Sequence, residues 1–235
     1  MKKRIIFLVL ILIVGGAVGL YAYFRGYLSI TQRTRKVLLF LRNPESLHDR
    51  IMPGLTRCGE APFLLPTTGM IGFLWDDSFR PGHRHQGIDI FGGTDVGETP
   101  VYAVYDGYLT RLPGWKSSVI LRIPSDPIQP DRQIWTYYTH MADENGKSLI
   151  VNDYPQGTRE VFVAAGTLLG YQGNYSGTRD RPTGVHLHFS IVKDDGQGGF
   201  MNELEIGNTL DPSPYFGMAL NGKSNPDQIP FCSEP

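Results

Sequence analysis

The chain has 235 residues, with 22 Lys plus Arg against 23 Asp plus Glu, so its formal net charge is -1. That balance excludes the basic footprint of a nucleic-acid binder, and a hydrophobic fraction of 41% excludes wholesale disorder. Glycine (28) and proline (17) are in excess, and tyrosine and phenylalanine (12 each) are plentiful, a composition of turns and short strands rather than long helices.

The first expected element is a membrane span. Ile5 to Phe24 read IIFLVLILIVGGAVGLYAYF without a charge, and about twenty helical residues cross the ~30 Å hydrocarbon layer of a bilayer. Lys2, Lys3 and Arg4 precede the run, and Tyr21, Tyr23 and Phe24 close it where an aromatic belt would sit. The expectation is a transmembrane signal anchor over 1–24, with a signal peptide cleaved before secretion as the alternative. The run is longer than a signal core of roughly 7–15 residues, and Ala17-Val18-Gly19 is a weak cleavage site. Arg25, Arg33, Arg35 and Lys36 nearly balance the flanking charge. The N-terminus is placed inside because the chemistry below belongs outside. Residues 25–57 read as a stalk. Thr34 to Arg42 could form a short amphipathic or interfacial helix stopped at Asn43-Pro44, but a plain spacer is the preferred reading.

From Cys58 the texture changes to short apolar stretches separated by Gly, Pro, Asn and Asp. Residues 101–105 end at the turn signal Asp106-Gly107 and are followed by 108–112. Residues 118–123, 133–139, 160–163 and 185–192 also read as strands, and no segment holds a helical period over four turns. The expectation is one mainly β, antiparallel body over 58–216, sandwich or partly closed barrel, with a loosely packed polar tail over 217–235. If that body lies outside the membrane, Cys58 and Cys232 can pair and clip its ends together; two free thiols are the alternative.

Five of the six histidines fall in three short segments: His83 and His85 in PGHRHQGIDI, His140 in YYTHM, and His186 and His188 in GVHLHF. His48, in the stalk, reads as a surface residue. On a strand, His186 and His188 share a face and Leu187 points to the core. His85 and Asp89 would stand ~13 Å apart on a straight strand, so Gly87 is needed as a bend. Two histidines and one aspartate make three N/O ligands and leave a fourth tetrahedral position for water, the pattern of a catalytic zinc. A neutral histidine nearby can take a proton from that water, and a second can polarise or protonate the reacting amide.

These residues carry a family resemblance. The segments HQGIDI (85–90), ETPVYAVYDGYLT (98–110), YYTHM (137–141), VAAGTLLGYQGNYSG (163–177), TGVHLHFSI (183–191) and LDPSPYF (210–216) resemble, in order, the lysostaphin/LytM-type zinc metallopeptidases, which cut peptide bonds in bacterial peptidoglycan. The resemblance implies a two-sheet antiparallel β body of the duplicated-hybrid-motif type with a groove. It implies His85, Asp89 and His188 as Zn2+ ligands, and His140 and His186 as catalytic histidines that activate water and stabilise the oxyanion. Peptidoglycan peptides are the implied partner, with the membrane contacted through the N-terminal helix and the domain on the extracytoplasmic side. Departures lie at 178–182 (TRDRP), 124–133 and 143–160, loops expected to rim the groove.

Other features weigh toward packing. Trp75, Tyr137, Tyr138, Tyr171 and Tyr175 could line a groove but read first as strand aromatics. His83 reads as an exposed neighbour of His85, Asp76-Asp77 as a loop, and Asn174-Tyr175-Ser176 as a chance sequon. Two further functions compete with a membrane-anchored endopeptidase. One is a non-catalytic family member that binds wall peptides or scaffolds another wall enzyme. The other is a cupin-type metal barrel, for which His83-x-His85 lacks the downstream Glu.

Overall fold

The computed structural model describes residues 12–21, 32–78 and 82–232. Helix α1 (Gln32–Arg42) and a 3-10 turn (Pro44–Arg50) precede ten strands. These are β1 (Met70–Phe73), β2 (Ile88–Phe91), β3 (Pro100–Tyr102), β4 (Gly107–Thr110), β5 (Val119–Ile123), β6 (Ile134–Thr139), β7 (Val161–Val163), β8 (Leu168–Tyr171), β9 (Leu187–Lys193) and β10 (Thr209–Leu210). A one-turn helix, α2 (Ser213–Phe216), follows. The strands form an eight-stranded sheet in the order β1-β2-β9-β6-β5-β4-β7, with β10 also on β9, and a two-stranded sheet β3-β8. Every pairing between these strands is antiparallel. The chain is mainly β, as its composition and strand pattern predict.

Period-2 alternation decides what each face carries. On β9, Leu187, Phe189 and Ile191 enter the main core. On the adjacent β6, Ile134 and Tyr138 do the same, and the Tyr138 hydroxyl accepts the Val104 N–H at 3.0 Å. The opposite face of the same two strands carries His188, Tyr137 and Thr139 at one end. At the other end a small cluster of Ile120, Trp135 and Val192 is packed by Trp115 and Phe200. The cleft therefore opens on the face of the large sheet that the main core leaves free.

Several expectations change on contact with the structure. The turn at Asp106-Gly107 does not close a hairpin: β3 pairs with β8, while β4 joins β5 and β7 in the other sheet. Residues 32–50, expected as part of a stalk, lie on the body. Arg33, Val37 and Phe40, at i, i+4 and i+7, form one buried stripe of α1. Val37 and Phe40 pack with Met70, Phe91 and Ile229. The tail is also engaged: Leu220 is fully buried in the main core, and Cys232 is disulfide-bonded to Cys58, Cα–Cα 5.7 Å, so the pairing left open by the sequence is made. Of the expected span Ile5–Phe24, residues 12–21 are helical and exposed; the remainder lies outside the described residues. Among the described residues no helix is long and apolar enough to cross a membrane.

Candidate metal centre

The ladder places the ligand candidates. Asp89 on β2 is directly opposite His188 on β9, and His188 is in turn opposite Thr139 at the end of β6. A cross-strand pair brings side chains together without any loop, and here His188 Nδ1 lies 2.8 Å from Asp89 Oδ1. His85 precedes β2. Its Nε2 lies 3.1 Å from Asp89 Oδ1 and 3.0 Å from His188 Nδ1. Gly87 supplies the closeness in a different way from the predicted bend. A Cβ there would stand within 2.8 Å of the Phe189 carbonyl carbon and nearer still to its oxygen, so only glycine lets this stretch run against β9.

Hydrogen bonds to backbone carbonyls fix the tautomers, because a carbonyl can only accept. His85 donates Nδ1–H to Leu74 O (3.0 Å), which aims Nε2 inward. His186 donates Nδ1–H to Gly184 O (2.7 Å), and His140 donates Nδ1–H to Tyr175 O (2.7 Å). The Nε2 of His186 lies 3.7 Å from Asp89 Oδ1, and its ring centroid is 4.5 Å from that of His140. His140 stands one residue past β6 with φ 73°, a left-handed backbone that few side chains adopt. Gly173 sits between the two: its carbonyl accepts the His186 N–H at 3.1 Å, and its backbone runs against the His140 and Ala142 carbonyls.

The donor set fits a divalent ion. Among the described residues, His85, Asp89 and His188 are the one group of three such side chains whose donor atoms all lie within 4.8 Å of one another. Two imidazole nitrogens and a carboxylate oxygen within about 3 Å of one another, largely out of water, are the kind of N/O donor set that a divalent ion takes. Burial and the Asp89 charge act in opposite directions on His85, His186 and His188. Burial alone would raise the Asp89 carboxyl, but His85, His186 and His188 around it hold it well below the usual carboxylate range. Burial pushes His186 down to about 4 and His188 down as well. Burial also acts to lower His85, but the adjacent Asp89 charge outweighs it and raises that group.

All five site residues named from the sequence line one cleft of about 540 Å³. Of the five aromatics, Tyr137 and Tyr175 line it. Tyr138 is core, and Trp75 bonds Thr209 Oγ1 (2.9 Å). His83 stacks beside His85, ring centroids 6.3 Å apart. His48 is exposed. Of the loops expected at the rim, 178–182 is flanked on both sides by lining residues, whereas no residue of 124–133 or 143–160 lines the cleft. Residues 124–133 are drawn onto the body by fully buried Asp126, which accepts from Arg132 (2.6 Å) and Tyr215 (2.8 Å). The walls come instead from Ser117-Ser118, Ser176-Gly177, Thr183-Gly184, Glu203-Leu204 and, unread in the sequence, Leu41 of α1.

No protein-family model matches the chain, and no curated protein matches it. Solved structures do. The antimicrobial peptidase lysostaphin from Staphylococcus simulans aligns over 63% of this chain and 49% of its own, at 20% identity and a TM-score of 0.41. A variant of the catalytic domain of the prophage-encoded M23 protein EnpA from Enterococcus faecalis aligns over 66% and 98%, at 21% and 0.38. A zinc-containing peptidase from Vibrio cholerae aligns over 66% and 40%, at 16% and 0.36. The chain thus spans about half or less of lysostaphin and of the Vibrio peptidase, and nearly all of the EnpA domain. Its similarity is to peptidases of the lysostaphin and LytM kind, the kind its histidine motifs resemble.

Proposed function

We propose that this protein is a zinc-dependent endopeptidase that hydrolyses peptide bonds of bacterial peptidoglycan. The observation that carries the reading is the convergence of His85 Nε2, Asp89 Oδ1 and His188 Nδ1 beside two further histidines whose Nδ1–H groups are tied back to carbonyls. When bound by the three donors, zinc supplies the Lewis acidity that acidifies water and polarises a carbonyl. His186, held neutral by burial, presents an open Nε2 that takes the proton of the attacking water. His140, turned by its bond to Tyr175 O, presents Nε2 toward the cleft, beside the oxygen where negative charge develops, and stabilises it there. The hydroxyls of Tyr137, Ser118 and Thr139 form a chain along the cleft, at 2.9 and 2.7 Å, and offer bonds to an extended peptide backbone.

Anchoring of the domain outside the membrane by Ile5–Phe24 belongs to the same proposal and is supported by the uncharged run itself. The Cys58–Cys232 bond suits a compartment in which thiols are oxidised. The test is digestion of purified sacculi by the full chain in detergent, scored by new free amino termini. Release that depends on zinc and is lost in His186→Ala supports the proposal. A zinc-loaded, folded chain that liberates none overturns it in favour of a wall-binding or scaffolding role.

A further inference from the structure

His85 is the one donor of the three that no strand holds, since β2 begins only at Ile88. Its orientation comes from the segment 74–77. The His85 N–H donates to Asp77 O (2.8 Å), and the Asp76 N–H donates to His85 O (2.8 Å). Leu74 O accepts both the His85 ring Nδ1–H (3.0 Å) and the Asp77 N–H (3.1 Å). This cradle is gripped from elsewhere in the chain. Arg33, in the first turn of α1, is fully buried. Its Nη2 donates to Asp77 Oδ2 at 2.6 Å, and its Nη1 donates to Asn225 O. The same Oδ2 faces the Leu74 N–H at 3.4 Å. One carboxylate oxygen therefore joins the helix to the turn whose carbonyl aims the His85 ring.

A buried guanidinium is an expensive means of docking a helix. An apolar side chain of similar length fills the same space without desolvating a charge. Among the described residues Arg33 Nε has no hydrogen-bond partner, and a desolvated charge is not what stability alone would favour. What the ion pair adds over an apolar contact is direction: it fixes a specific atom of Asp77 relative to a specific carbonyl.

We propose that Arg33 is a positioning residue. Through Asp77 it holds the His85 ring toward the Asp89–His188 pair, so that the Arg33–Asp77 ion pair, rather than the apolar packing of α1, sets the metal affinity of the site. The inference rests on the metal-site reading above and deepens it: the helix that follows the apolar N-terminal run is a working part of the centre. Leu41, on the last turn of the same helix, lines the cleft.

The experiment measures zinc affinity of the full chain by competition with a chromophoric chelator, for wild type, Arg33→Met, Asp77→Asn, the double variant and Val37→Ala. Groups that orient a ligand are worth roughly 10–100-fold in metal affinity. The expected result is a loss of that size in each of the two single variants, with the double no weaker than the worse single, because both remove one interaction. Val37→Ala thins the packing of α1 and leaves the ion pair intact, so it lowers the unfolding midpoint and keeps wild-type affinity. Folded Arg33→Met and Asp77→Asn proteins with wild-type zinc affinity overturn the inference, as does a double variant whose losses multiply. Should Arg33→Met not fold, the isosteric Asp77→Asn decides alone. A wild-type chain that binds no zinc defeats the metal-site reading itself, a result distinct from either.

Discussion

Gly173→Ala separates metal binding from catalysis. A Cβ at this position would stand 2.7 Å from Ala142 N and closer still to the carbonyl oxygens of Ala142 and His140. Ordinary contact needs about 3.5 Å, and all three obstacles are backbone, so the 173 segment must retreat by roughly an ångström. It cannot do so alone. The Gly173 carbonyl accepts the His186 N–H, and the His140 carbonyl is one of the atoms it would leave, so the two imidazoles move relative to each other. Of the three candidate donors, Asp89 and His188 are paired across β2 and β9 and His85 precedes β2; none of them is paired to Gly173, which bridges His186. Misplacement of catalytic groups by about 1 Å costs on the order of 100-fold, which is about 2.7 kcal/mol in the barrier. The assay is the initial rate of amino-terminus release from sacculi at saturating zinc, alongside zinc stoichiometry and a urea midpoint. The expected variant binds one zinc, folds with a loss of about 1–3 kcal/mol, and turns over roughly 100-fold more slowly. Wild-type turnover in a folded Gly173→Ala chain refutes the pairing of His140 and His186, and loss of zinc would mean that the metal donors depend on this segment after all.

Further outcomes test other parts of the structure. His188→Ala removes one of three donors and should abolish stoichiometric zinc in metal analysis of the purified chain, with activity falling to background. Cys58→Ser opens a bond that spans 174 residues, and chain-entropy arguments place its loss at about 2–5 kcal/mol in denaturant unfolding; an unchanged midpoint under oxidising conditions would count against it. Asp76 is held below the usual carboxylate range, first by the hydrogen bond from Arg84 against the opposing pull of burial, then by Lys223. Its lowered value means stability that is present above pH ~4 and lost as pH falls through the folded value. The difference in melting temperature between wild type and Asp76→Asn should therefore be clear at pH 7 and shrink toward pH 3. Asn tolerates the positive φ of 60° at this position, and a difference that persists at pH 3 would assign the effect to shape rather than charge.

The grouping of the candidate site residues was legible because it is written in short-range code. His186-x-His188 has strand spacing, Asp89 lies four residues past His85, and the apolar neighbours Leu187, Phe189 and Ile191 mark which face is the core. The sequence also shows β5, β6 and β9 within a residue or two. It does not show β1, β2, β8 and β10, which are two to four residues long and take their identity from partners rather than from any periodicity of their own. Arg33 is the clearest misreading. Among Arg25, Arg35 and Lys36 it looks like one more solvated charge beside an apolar run, yet it is buried because Asp77 and Asn225 meet it there. Gly173 was likewise one glycine of a turn-rich segment until the backbone beside it was known. In each case the missing information was a partner many positions away.

The central place of β9 in the sheet has a bearing on when the donor cluster can form. This strand joins β2 and β6, carries His188, and comes after both of them in sequence. A chain emerging from the ribosome or a translocation pore presents His85, Asp89 and His140 early, as isolated side chains on an unfinished sheet. The convergence of His85, Asp89 and His188 exists only once the late strand has slotted between its two earlier neighbours, so the cluster assembles in the last step of sheet formation rather than growing piecemeal.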